Sequence, residues 1–361
     1  MKFINNLDEI SQSEHLILQP EDSSEMDLID QLASDPRVQV LDQIKSQIAE
    51  WIKLSNPKVT FSKDALKDEV NKFLKKNGSQ YGNWVYYPWR NTLVRILPQA
   101  EFIEVRTIRN KYKITEEEQK TLSTKKIGVI GLSVGQSVAL GLAIERVFGE
   151  LRIADFDHVE LGNMNRIRTS LVNLGVKKTT IVKREIAEID PYLKVTVYEE
   201  GIHDDNIEAF FCEDGKLDLL IEECDNIKMK IQSRLMAKSL RIPVLMDTSD
   251  RGMLDIERFD LDSNLPIFND KLKEFGPENL LLDNFDKKQK QILGAILDFE
   301  KLSERAQISI KEIGKTITNW PQLASSVIMG GGICTHLSRQ ILLGHQVKSG
   351  RFYVDMDEIV K

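Results

Sequence analysis

Cysteine is scarce in this chain. Its 361 residues hold three, Cys212, Cys224 and Cys334, far apart and with no CxxC pair. That spacing argues against a disulfide scaffold and against a structural zinc built on paired thiolates, so no zinc is expected. No stretch approaches the roughly 18–20 unbroken apolar residues of a membrane span. The first turn carries charge where a signal peptide would have its apolar core. An excess of positive charge is also missing: 49 Lys and Arg face 56 Asp and Glu, for a net charge of −7. That balance disfavours a standing polyanion binder, and nucleic acid is not an expected partner. Internal repeats and low-complexity tracts are absent. What is present, 41% hydrophobic and 29% charged residues, is the composition of a globular domain. The expectation is a soluble, cytoplasmic protein from a reducing compartment, with two domains or one domain and a long extension.

The N-terminal part reads as α+β. Val38, Leu41, Ile44, Ile48 and Ile52 recur at helical spacing, which predicts a helix from Val38 to Leu54 starting at Asp35-Pro36 and ended by Asn56-Pro57. A second helix is expected from Ser62 to Asn77-Gly78, followed by the aromatic segment Trp84–Trp89 and a strand over Thr92–Leu97. From Lys126 the texture changes to alternating strand and helix, as a parallel sheet requires. Strands are expected at Lys126–Ile130, Leu151–Ala154, Val195–Tyr198, Leu217–Ile221 and Pro243–Met246. Helices are expected at Ser137–Phe148, Lys178–Ile189, Ile227–Leu240, Lys287–Arg305 and Ala324–Leu343, with an edge strand near Arg351–Val354. The fold class is α/β: a Rossmann-like three-layer sandwich with a mostly parallel sheet (105–361), plus a small α+β extension (1–104).

Gly131-Leu132-Ser133-Val134-Gly135 joins the first of these strands to its helix. Glycines there allow a tight turn and let backbone N–H groups approach an anion at a helix N-terminus. Ser133 stands where a second glycine is usual, and the turn is one residue short. The same residues fit G-x-S-x-G, the nucleophile elbow of α/β-hydrolases. A hydrolase would then need an acid and a histidine in order, with His203, His336 or His345 available. A nucleotide site needs instead an acid about 20 residues on, at the end of the second strand. Asp155 stands there, which favours the nucleotide.

Asp155-Phe156-Asp157-His158-Val159-Glu160-Leu161-Gly162-Asn163-Met164-Asn165-Arg166 resembles the D-x-D-x-V-E-x-x-N-L-x-R segment of the ThiF/MoeB/HesA family, which includes the adenylation domains of ubiquitin-activating enzymes. Gly175-Val176-Lys177-Lys178 is similar to its G-x-x-K, Cys224-Asp225-Asn226 to its T-D-N, and Met329-Gly330-Gly331-Gly332 to its closing glycine helix. Arg109-Asn110 falls where the family carries an arginine-bearing N-terminal segment. Trp84–Trp89, Ile130–Gly135 and Asp247–Asp260 resemble a bacterial ThiF-like subfamily often followed by a nitroreductase-like flavin domain. This chain ends near where such a domain would begin.

The resemblance implies ATP-dependent adenylation of a substrate carboxylate, with pyrophosphate released. A carboxylate is already ionised at neutral pH, so the chemistry needs positioning and positive charge rather than a general base. Arg166 and Lys178 are the expected phosphate contacts, and Asp225 the expected Mg²⁺ ligand. Asp155 would grip the ribose, with Gly131, Ser133, Gly135, Asp157, Asn163 and Asn226 completing the nucleotide site. Arg109 would reach the partner's phosphates in a homodimer. Arg251 and Asp250 are the expected substrate-side residues, in a run with Asp247, Ser249, Asp255 and Glu257 at the sheet's carboxyl end. Lys230 stands where relatives commonly have arginine, and no cysteine follows Met246 where thioester-forming relatives place theirs. Cys224 reads as a small buried residue. Two alternatives stay open: an NAD(P)-dependent oxidoreductase, and a non-catalytic nucleotide-binding scaffold partnering a flavin nitroreductase-like domain.

Overall fold

The computed structural model describes residues 12–283 and 285–361. The chain divides into two compact units, one running up to Glu116 and including Ile186–Tyr192, the other comprising Glu117–Glu185 and Leu193–Lys361. The division expected at residue 104 falls inside a continuous helix, Gln99–Thr107.

The N-terminal unit is α+β. Its elements in order are β1 (Leu16–Leu18), α1 (Ser23–Ser34), β2 (Gln39–Asp42), α2 (Ile44–Ser55), α3 (Lys63–Asn77), β3 (Asn83–Tyr87), β4 (Thr92–Ile96) and α4 (Gln99–Thr107). The four strands form one sheet in the order β1-β3-β4-β2, with only β2 and β4 parallel. The helix expected from Val38 is corrected here. Residues 39–42 form an edge strand on β4, and Asp42 Oδ1 accepts the Ile44 amide at 3.1 Å, so the helix begins at Ile44. Strand pairing overrides a local spacing that fits both structures. From Ile44 onward the periodicity holds, with Ile44, Ile48 and Ile52 buried against Val70 and Leu97. Ser62 caps α3 as expected, its hydroxyl accepting the Ala65 amide at 3.2 Å, and Gly78 ends it at φ 95°.

The second unit opens with α5 (Glu116–Leu122) and continues β5 (Lys126–Ile130), α6 (Gly135–Glu145), β6 (Glu150–Ala154), α7 (Lys178–Ile189), β7 (Lys194–Tyr198), α8 (Ile207–Cys212), β8 (Leu219–Glu222), α9 (Ile227–Ser239), β9 (Val244–Asp247) and β10 (Met253–Glu257). Helices α10 (Phe285–Leu297), α11 (Glu304–Glu312) and α12 (Ala324–Leu342), strand β11 (Gly350–Tyr353) and α13 (Met356–Ile359) complete it. The sheet order is β11-β10-β9-β8-β5-β6-β7. The run β9-β8-β5-β6-β7 is parallel, while β10 and β11 return antiparallel. This is a Rossmann-like α/β fold, and its strand order reverses between β5 and β8. Open α/β sheets bind ligands at such a point, beyond the carboxyl ends of the strands.

The single helix expected over Lys287–Arg305 is two helices. Asp298 adopts a left-handed φ of 53°, and Ser303 then caps α11 by accepting the Ala306 amide at 3.2 Å. Arg152, on β6 and only 1% exposed, donates to the carbonyls of Phe210 and Gly215 at 2.8 and 2.9 Å, tying the end of α8 to the sheet. Helices α6 and α12 approach closely through small residues: a Cβ on Gly331 would lie 2.6 Å from Ser137 Cβ.

Candidate functional site

The β5–α6 turn forms because Gly131 takes φ +86° and comes so close to the end of β8 that a Cβ would lie 2.7 Å from the Glu223 carbonyl and the Cys224 amide. Only glycine meets both demands. Its amide donates to Ala154 O at 2.9 Å, and the Leu132 amide donates to Asp155 Oδ2 at 2.6 Å. Asp155 Oδ1 accepts the Asp157 amide at 2.8 Å. Asp155 therefore clamps the turn as well as standing at the strand's end. Burial raises its pKa, opposed by the nearby Lys178 ammonium and the two amides.

The segment between β6 and α7 folds back on itself. Val159 and Val176 exchange a backbone bond of 2.9 Å, as do Gly175 and Val159, with Gly175 at φ 81°. That closure delivers Lys178 to the head of α7, its side chain buried, with Nζ 2.7 Å from Asp157 Oδ2 and 3.8 Å from Asp155 Oδ2. Asn163 Oδ1 accepts the Glu160 amide at 3.0 Å and Asn226 Oδ1 accepts the Met229 amide at 3.1 Å, so both stabilise short local turns or caps. Gln136 grips the backbone of Arg168 from both sides, at 2.9 and 3.1 Å, holding the segment that carries Arg166. Arg166 Nη2 donates to Ser133 Oγ at 3.1 Å, and Nη1 to Asn165 Oδ1 at 3.0 Å and Gly162 O at 3.3 Å. Burial lowers the Arg166 pKa, while the field of Asp225 opposes that shift.

A cleft opens at the β5/β8 reversal. Gly131, Ser133, Asp155, Asp157, Lys178, Asp225 and Asn226 all line it. Asp225 is exposed there. The ThiF family profile matches residues 106–252. These residues form a ThiF-family domain.

Three further likenesses extend beyond that span. The chain is 37% identical to an uncharacterized protein of Mycobacterium tuberculosis over 342 residues, covering 94% of this chain but 45% of that protein. It is 26% identical to the tRNA threonylcarbamoyladenosine dehydratase of Bacillus subtilis, over 64% of this chain and 94% of that enzyme. The crystal structure of E. coli MccB with ATP shares the fold, with a TM-score of 0.51, 14% identity and coverage of 87% and 85% of the two chains.

Some expected residues are not among those that line the cleft. Arg109 sits exposed in the N-terminal unit, in a short turn Ile108–Asn110. Arg251 and Asp250 are not among the cleft's lining residues. Arg251 Nε bonds Asp355 at 2.6 Å and its Nη2 bonds Glu358, while Asp250 accepts the Ser303 amide and hydroxyl at 2.9 and 2.7 Å. Their partners belong to the C-terminal segments, which the sequence did not place nearby. Asp255 and Glu257 run back from the carboxyl end because β10 is antiparallel. They are spent on Arg351, at 2.8 Å, and on buried Arg234, at 2.7 Å. His203, His336 and His345 do not line the cleft that Ser133 does.

Sequence reasoning missed Glu223 and Phe156, both of which line the cleft. Glu223 is 8% exposed, accepts the Asp247 amide at 2.8 Å, and has its pKa pushed well up by burial and then by Asp247. A second acid directly after a buried strand, in Glu222-Glu223-Cys224, was the available signal. Cys224 also lines the cleft, and burial pushes its thiol far above the ordinary range, which makes it a poor nucleophile. Lys230 bonds both oxygens of buried Glu222, at 3.1 and 3.2 Å.

Proposed function

We propose that this chain adenylates a substrate carboxylate with ATP·Mg²⁺ and releases pyrophosphate. The observation that carries the reading is the convergence of Ser133, Asp155, Lys178 and Asp225 on one cleft, with Arg166 bonded to the Ser133 that lines it. The fold is shared with MccB crystallised with ATP, which supports ATP as a ligand of this fold.

Lys178 is a buried point charge positioned to leave Asp157 for a phosphate, and Arg166 a planar fork bonded to Ser133. Asp155, at the end of β6, meets the ribose hydroxyls. Among the described residues no cluster of three or more His, Cys, Asp or Glu is arranged to hold a metal. Mg²⁺ suits a single exposed carboxylate combined with phosphate oxygens and waters, which is what Asp225 offers. The ion would neutralise charge on the departing pyrophosphate. A homodimer, in which Arg109 serves the partner's site, and a cytoplasmic setting belong to the same proposal. Among the described residues no helix is long and apolar enough to cross a membrane. The chain spans 45% of the length of the Mycobacterium tuberculosis relative.

The test is ATP–pyrophosphate exchange against a panel of metabolite and peptide carboxylates. Lys178→Ala and Asp225→Ala should each abolish exchange while leaving the circular dichroism spectrum unchanged; exchange at wild-type rate in both defeats the assignment.

A further inference from the structure

We propose that the Ser133 hydroxyl is itself a phosphate-binding donor, polarised by Arg166, in place of the backbone amides that a longer glycine turn would offer. The inference rests on the reading that this cleft binds ATP. Two amides of the short turn are spent inside the protein, Gly131 on Ala154 O and Leu132 on Asp155 Oδ2. Ser133 is half-buried and lines the cleft, and its Oγ accepts from Arg166 Nη2 at 3.1 Å. A hydroxyl that accepts one hydrogen bond keeps its own proton to donate in another direction. Loading its oxygen with a cationic donor strengthens that second bond, because chained hydrogen bonds polarise one another.

Arg166 is poorly placed to swing out and replace the hydroxyl. Its Nη1 is held by Asn165 Oδ1 and Gly162 O. Asn165 in turn donates to Gln322 O at 2.7 Å, and Ile167 is 4% exposed. The guanidinium therefore acts from a fixed position, and the serine carries its charge one bond further, to a phosphate oxygen. The arrangement reads the phosphate chain and ignores the nucleoside.

Calorimetry on the full chain with ATP and with adenosine tests this. Ser133→Ala should weaken ATP binding about tenfold or more, the loss expected for one hydrogen bond to a charged group. Adenosine affinity and the thermal unfolding midpoint should not move. Ser133→Gly should behave as Ser133→Ala, and Ser133→Thr should keep wild-type affinity. In an Arg166→Ala background, adding Ser133→Ala should cost less than threefold. ATP affinity unchanged in Ser133→Ala and Ser133→Gly overturns the proposal while leaving the ATP site standing. Equal losses for ATP and adenosine overturn it too, by making the role structural. A wild-type chain that binds no ATP brings down the underlying reading instead.

Discussion

At the scale of single residues, the turn after β5 shows how little freedom the site allows. Gly131 is at φ +86°, and a Cβ there would lie 2.7 Å from backbone atoms of Glu223 and Cys224, which cannot swing aside as a side chain would. Left-handed backbone costs a residue with a Cβ about 1–2 kcal/mol, and overpacking adds about 1–3 kcal/mol. Gly131→Ala should therefore lower the urea unfolding free energy by about 2–5 kcal/mol. A loss under 1 kcal/mol would mean that the turn and the end of β8 are not pressed together. Much of the site was legible at this scale because its residues sit in short, ordered motifs at strand ends. What stayed hidden was each residue's second allegiance. Asn163 and Asn226 hold local caps, and Arg251 is bound by Asp355 and Glu358, 104 and 107 positions away. Spacing carries no trace of partners so distant in the chain.

At the scale of elements, helix periodicity succeeded where one face is buried and failed where a strand borrowed its spacing. Helix α7 matches its expected span, Lys178–Ile189, whereas Val38 and Leu41 belong to the region of β2 and its approach. The glycines of α12 carry a further lesson, because adjacent positions in one helix have opposite requirements. Gly331 faces α6, and a Cβ would lie 2.6 Å from Ser137 Cβ and 3.0 Å from its backbone carbon; Gly332 is exposed, with nothing within 4 Å of a Cβ. Gly331→Ala should destabilise by about 1–3 kcal/mol through overpacking. Gly332→Ala should stabilise by up to about 1 kcal/mol, the helix-propensity gain of alanine over glycine. Paired thermal melts of the two variants check the sign. The same sign in both would mean that α12 does not dock on α6 through this face.

At the scale of the whole molecule, the parallel strands and their helices were readable from alternation, but the antiparallel return of β10 and β11 was not. That return places Glu257 beside Arg234, which also bonds Glu222 and lies 3.9 Å over the Phe268 ring. The second unit thus buries acids of opposite tendency. Burial pushes Glu222 up, but Lys230 and Arg234 outweigh it and bring its pKa down to about 2. Burial raises Asp247 to about 6, against the amides of Thr248 and Ser249, and raises Glu257 to about 7 despite Arg234. The signs follow by linkage. Glu222 contributes stability that is present above its unfolded value near 4.5 and lost as pH falls toward 2. Asp247 works the other way: below its unfolded value of 3.8 it is neutral in both states, and from there through about 6 the unfolded chain ionises it first. Stability must fall across that interval, and Glu257 extends the decline to about 7. The most stable pH should therefore lie near the acidic end of the range, below 6. Asp247→Asn keeps a carbonyl oxygen for the Ser249 amide, which Oδ1 now accepts at 3.2 Å, and cannot ionise. Urea unfolding from pH 4 to 8 should show the wild type losing stability above about pH 4. The Asn variant should be flatter between 4 and 6 and relatively more stable by about 2–3 kcal/mol at pH 7. A wild-type stability that climbs steadily from pH 5 to 7.5 would mean that Asp247 is not held protonated beneath α12.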